Sequence, residues 1–473
     1  MAFSTIVFLF AFLPVALGGY YLLCTKFRTL SNLFLICISL AFFAYANTRH
    51  VLPLLVFIVG NHLIGKCIQH AGACKRKSRL FLIVGILLNA GILVYYKYTN
   101  FFLSNVNAAL GTQFSTLKIV VPLGISFLIF QAVSFLVDIY RQEAKIDSLI
   151  DTALYLTFFP KLISGPLVRY CDFQPQIVNR THSTRLFSEG IERLIIGLAK
   201  KVILADTFGV LVDTIFGSLK VGIDIPTAWL GAFCYMLQIY FDFSGYSDCA
   251  IGLAKFFGFD FKENFDFPYT SCSITEFWRR WHISLGTWFR QYIYFPLGGS
   301  RTGNVYFHLF VVFLFTGLWH GSSWNFIAWG LVNAFFVLLE RALWNTKFYT
   351  RIPRFVKWTA TFVIVFFSWI LFRSSGFMDA VQYLRHMFGL GESLPVVYSF
   401  SYYLNAKIGL FLLIGFFGST YAGRQFYEKF WKTSTNTVPA LYIGKTAVLA
   451  ILFVLSVMFI INSQYAPFLY FQF

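Results

Sequence analysis

His320 is the residue whose type and setting point most directly to chemistry. It closes an apolar run in the segment Phe315-Thr316-Gly317-Leu318-Trp319-His320-Gly321-Ser322-Ser323-Trp324. A neutral imidazole, with an unperturbed pKa of about 6.5, takes and returns a proton near neutral pH. Gly317 and Gly321 bracket it, and glycines let a backbone or a thin ligand approach closely. The competing reading is a buried histidine satisfied by a neighbouring carbonyl. A second constellation is Thr275-Glu276-Phe277-Trp278-Arg279-Arg280-Trp281-His282-Ile283-Ser284-Leu285. On one helix, Trp278, Trp281, His282 and Leu285 would share a face. Arg279 and Arg280 suit a phosphate or pyrophosphate held by paired hydrogen bonds. The same run also reads as an interfacial helix with an aromatic belt and snorkelling arginines. A hairpin or a re-entrant loop between His282 and His320 would let the two histidines face one cavity. The third constellation is Gln238-Ile239-Tyr240-Phe241-Asp242-Phe243-Ser244-Gly245-Tyr246-Ser247-Asp248. Asp242 there either orients a histidine or binds a polar acceptor, or else pairs with a basic residue and fixes helix packing.

These residues sit in a chain that is 58% hydrophobic and 12% charged. Soluble domains carry about twice that charge, so lipid is the natural solvent. The net charge of +18 lies mostly between apolar runs. That pattern fits loops at a membrane surface better than nucleic-acid binding, and no nucleic-acid partner is expected. Runs free of Asp, Glu, Lys and Arg are Met1–Thr25, Thr29–Thr48, His50–Gly65, Leu80–Tyr96, Ile119–Val137, Ile225–Phe241, Val305–Leu339, Trp358–Phe372, Ile408–Gly423 and Thr446–Phe473. Val305–Leu339 is long enough for two segments broken near Gly321-Ser322-Ser323. Leu149–Leu167, Gly190–Leu219 and Ile274–Gly298 are less clean. Pro160, Lys161 and Pro166 would break a lipid-facing helix, and irregular backbone survives at membrane depth only inside protein or beside a cavity.

The expectation is an all-α polytopic membrane protein of about ten to thirteen helices, re-entrant segments included, forming one membrane domain over residues 1–473. Basic residues after the first and third runs (Lys26 and Arg28, then Lys66, Lys75, Arg76, Lys77 and Arg79) place the N-terminus on the extracytoplasmic side. Eight scattered cysteines form no CxxC pair, so neither a disulfide framework nor a metal site is expected. P-loop, GxGxxG, GxSxG and HExxH patterns are absent, which argues against an ATP-driven pump.

Taken in order, several segments resemble the membrane-bound O-acyltransferase superfamily, in particular its bacterial branch typified by the membrane subunit of alginate O-acetylation. They are Pro122–Phe127, Phe158–Pro166, Gln238–Asp248, Glu276–Leu285 continuing to Tyr294–Arg301, Gly317–Gly321, Trp329-Gly330, Trp369–Arg373 and Phe468–Phe473. Gln291 and Asn333 depart from that branch, which often has an acid and a histidine there.

The resemblance implies many helices around a central tunnel, with His320 at the family histidine and His282 at the second family position. Trp278, Trp319, Arg279, Arg280, Asp242, Gly317 and Gly321 would contact or accommodate substrate. It implies acetyl-CoA as donor substrate, no bound cofactor and a bacterial inner-membrane location. It also implies an extracytoplasmic O-acetyltransferase partner with a serine hydroxyl, or a sugar directly, as acceptor, and a polysaccharide downstream. Two rivals stay open. One is a related enzyme fed by another donor, such as a D-alanyl carrier protein. The other is a channel or transporter using buried histidines as a proton path.

Overall fold

The computed structural model describes residues 2–24, 27–220, 222–391, 395–396, 398–429 and 439–462. Lys26 and the segment Phe468–Phe473 lie outside the described residues. Helices make up the regular structure, with no strand among the described residues, as the sequence predicts. Five helical stretches are long and apolar enough to cross a membrane: Arg28–His70, Lys75–Leu110, Trp324–Leu343, Arg354–Arg373 and Leu441–Asn462. Ala406–Ser419 and Tyr421–Lys429 form a further, bent pair, kinked by 69°. Phe8–Leu23, Ile125–Tyr140 and Val305–His320 are shorter apolar helices. Full spans are therefore fewer than the charge-free runs, because several runs fold as short helices.

The chain divides into two compact units, Met1–Leu194 with Ser247–Lys262, and Ile195–Tyr246 with Glu263–Phe473. In the first, the run Leu149–Leu167 is broken as its prolines require. A helix over Leu149–Thr157 stops at Phe158, and a single turn, Phe159–Leu162, follows. Lys161 is fully buried there and is held by the Gln131 side chain and the Tyr155 carbonyl. Asn89 donates to Asn61 at 2.8 Å, joining two apolar helices by a hydrogen bond that lipid cannot replace. Lys75, Arg76, Lys77 and Arg79 open the helix Lys75–Leu93. Cations at a helix N-terminus oppose its dipole, so their placement answers anionic headgroups rather than helix stability.

The second unit holds the candidate site, which six helices bear on. They are α1 (Ile225–Phe256, whose residues up to Tyr246 belong here), α2 (Ile274–Arg280), α3 (Ile283–Phe289), α4 (Val305–His320), α5 (Trp324–Leu343) and α6 (Arg354–Arg373). α1 runs well past the apolar stretch Ile225–Phe241 because Asp242 is buried in an ion pair rather than left facing lipid. The Asn304 side chain accepts from the Tyr306 and Phe307 amides and so starts α4. α4 ends where Gly321 turns fully extended (φ −170°, ψ 159°). α4 and α5 then pack backbone to backbone: a Cβ on Gly317 would lie 2.6 Å from the Phe326 carbonyl oxygen, and one on Gly330 would lie 2.7 Å from that of Phe313. Small residues at a helix crossing allow this approach.

Gly330→Leu is therefore expected to abolish most of the monodisperse protein recovered in mild detergent, measured by size-exclusion chromatography. Gly91→Leu, at a position with open space around it, should leave recovery unchanged. Equal recovery of both variants would contradict the close-packed seam.

Candidate functional site

α2 begins at Ser273, whose side chain accepts from the Glu276 amide at 3.0 Å. The amide of Thr275 donates to Glu340 Oε2 on α5, also at 3.0 Å. Two N-terminal amides of α2 are thus capped, one of them by a buried carboxylate from another helix. The single continuous helix expected from the sequence is interrupted. Trp281 is extended and His282 takes a left-handed conformation, φ 46°. That region is costly for a side chain other than glycine, and such residues cluster at functional sites. The break still leaves Trp278, Trp281, His282 and Leu285 on the wall of one cavity of about 530 Å³, which His320 and Thr316 also line. A cavity of this size is typical of small-ligand sites.

Both histidines are buried. His282 Nδ1 lies 3.2 Å from Asn264 Oδ1, which also accepts from the Ser284 amide at 3.0 Å. If the Nδ1–H donates to Asn264, Nε2 carries the lone pair. The His282 ring sits edge-on to Phe243 at 4.5 Å. His320 is the last residue of α4, and its ring packs among Trp319 (4.8 Å), Trp329 (5.0 Å) and Phe372 (5.0 Å). Trp319 stands between the histidines, 6.3 Å from His282. The structure brings His282, His320, Trp278, Trp319 and Arg279 together.

The other residues singled out in the sequence face elsewhere. Arg280 bonds Glu276 at 2.9 Å and Asp266 at 3.2 Å. Gly317 admits the backbone of α5, and a Cβ on Gly321 would strike the Phe326 ring, so their small size serves helix packing. Asp242 accepts from Lys201 at 2.6 Å, and Lys201 also meets Asp206 at 2.7 Å, all three being buried. This is the packing alternative recognised for Asp242. Removing one member of such a cluster leaves an uncompensated charge.

Two further arginines, Arg290 and Arg341, line the cavity beside Arg279, and all three are exposed. Thr275, Arg279 and Arg341 also line an adjoining cavity of about 590 Å³, together with Asn304, Tyr306, Trp344 and Asn345. Arg341 had a signal in the sequence, since Glu340-Arg341 closes the longest charge-free run. Asn264 had none.

A buried imidazole pair thus shares one cavity with three exposed arginines, among apolar helices. The chain belongs to the membrane-bound O-acyltransferase family, whose sequence profile matches residues 42–379. It is an acyltransferase and an integral membrane protein. It is 39% identical to the probable alginate O-acetylase of Pseudomonas putida over 100% of both chains. It is 40% identical to that of Pseudomonas aeruginosa, over 91% of this chain and 83% of the relative. The peptidoglycan O-acetyltransferase of Helicobacter pylori is 36% identical, over 83% and 81%.

Asn264→Leu removes the acceptor that fixes His282 while keeping the side-chain volume. Acyl transfer is expected to fall about 10–100-fold, as for a catalytic group misplaced by about an ångström, while the thermal midpoint moves little. Unchanged turnover would contradict the positioning of His282 by Asn264.

Proposed function

We propose that the protein transfers an acetyl group from cytoplasmic acetyl-CoA through the membrane to an extracytoplasmic hydroxyl. The acceptor is a serine of a partner O-acetyltransferase, or a sugar directly, and the acetyl group ends on an alginate-like exopolysaccharide or on peptidoglycan. The protein sits in a bacterial inner membrane with its N-terminus outside. The observation that carries this reading is the placement of His282 and His320 on the wall of one cavity whose rim bears Arg279, Arg290 and Arg341.

His320 takes the proton of the acceptor hydroxyl as its oxygen attacks the thioester carbonyl carbon. The tetrahedral intermediate collapses, the C–S bond breaks, and the proton passes from His320 to the departing thiolate. His282, fixed by Asn264, orients a reactant. Holding both reactants in a water-poor cavity supplies much of the acceleration. The coenzyme phosphates meet Arg279 and Arg341, with Arg290 beside them. Arg280, engaged with Glu276 and Asp266, supports α2 instead. Trp319 sets the two imidazoles in register.

Purified protein supplied with its extracytoplasmic partner should release free coenzyme A from acetyl-CoA, and His320→Ala should lower turnover at least about 100-fold. A folded, fully active His320→Ala protein would remove His320 from the mechanism. Indifference to acetyl-CoA combined with turnover of an acylated carrier protein would replace the donor. Arg341→Ala is expected to raise KM for acetyl-CoA about tenfold, the loss of one charge-assisted contact. It should leave KM for acetyl-pantetheine, which lacks the nucleotide, unchanged. An equal effect on both donors would contradict a phosphate-binding role for Arg341.

A further inference from the structure

We propose that the indole N–H of Trp278 donates the hydrogen bond that stabilises the oxyanion of the tetrahedral intermediate; this rests on the acyl-transfer reading above. Trp278 Nε1 is buried and has no hydrogen-bond acceptor among the described residues. A buried donor left unsatisfied is costly, and such atoms in native structures call for an explanation such as a catalytic role. This one belongs to a residue of the cavity wall shared with His282, Thr316 and His320.

Its ring is fixed. Trp278 packs edge-on against Trp329 at 5.5 Å and Phe277 at 5.1 Å, and against Phe313 at 5.9 Å. Trp329 in turn lies 5.0 Å from the His320 ring. His320 and the indole donor are therefore braced by the same tryptophan. Among the hydroxyls on this wall, that of Thr316, beside His320 on α4, spends its proton on the Val312 carbonyl at 2.7 Å. The three arginines are exposed at the rim.

The step balances without any further reactant. The acceptor O–H proton moves to His320 as the O–C bond forms, and the carbonyl electron pair moves onto oxygen, where it accepts the Trp278 N–H. When that pair returns to re-form the carbonyl, the C–S bond breaks and His320 hands its proton to sulfur. A donor fixed in advance, in a site shielded from water, favours the charged intermediate over the neutral thioester and so acts on kcat rather than KM.

The test replaces Trp278 with Phe, and separately with β-(3-benzothienyl)alanine, which keeps the bicyclic shape and puts sulfur in place of the N–H. Both variants should bind acetyl-CoA with KM within about twofold of wild type and lose about 100-fold in kcat, the usual cost of one oxyanion donor. If the benzothienyl variant keeps full kcat, the indole acts by packing alone and the proposal is overturned, whatever Trp278→Phe does. If kcat survives in both, it is overturned as well. If wild type with its partner releases no coenzyme A, the acetyl-CoA reading and this proposal fall together, a result distinct from the other two.

Discussion

The contact on which the site depends is the backbone-to-backbone approach of α4 and α5 at Gly317 and Gly330. It lets the two helices form a tight hairpin around Gly321, which places His320 at a helix end with Trp329 and Phe372 against its ring. The same hairpin delivers Glu340, near the far end of α5, to the N-terminus of α2. In an apolar surrounding an uncapped amide is expensive, so this carboxylate fixes where α2 begins. With α2 fixed, Trp278 and the strained turn at His282 are fixed too. One packing constraint thus sets His320, the turn at His282 and the Trp278 indole.

Polar groups in the second unit follow a consistent division. On the cavity wall, His282 is held by neutral partners, Asn264 at 3.2 Å and Ser284 at 3.4 Å. Away from it, charges are consumed in groups of three: Lys201 with Asp206 and Asp242, and Arg280 with Glu276 and Asp266. The buried Lys201 cluster adds little net stability but is costly to break by removing one member, whereas Arg280 and its partners are only partly buried. A rigid frame of this kind suits an acyltransferase that has to hold two reactants in one geometry.

Much of this was legible in the sequence for local reasons. The break at Gly321-Ser322-Ser323, the interruption of Leu149–Leu167 at Pro160, and the prominence of His282 and His320 all rest on residue types within a few positions of one another. The rest depends on partners far apart in the chain. Nothing near Asp242 announces Lys201, and nothing near Thr275 announces Glu340. The helical face drawn through Trp278, Trp281, His282 and Leu285 reached the right wall by a different route, since a left-handed residue replaces the expected continuous helix. Gly317 and Gly321 looked suited to a ligand because glycine permits any close approach; which neighbour approaches is settled only by packing. Arg341 gives an ambiguous signal, because a charge at the end of an apolar run reads equally well as an interfacial anchor.

In the proposed reaction, donor and acceptor meet in the cavity shared by His282 and His320, with the donor's nucleotide end at the arginine rim. A structure of the protein with bound coenzyme A tests it most directly. The pantetheine sulfur is expected in the cavity near His320 and the phosphates beside Arg279 and Arg341. Phosphates bound elsewhere, with the thiol remote from both histidines, would contradict it.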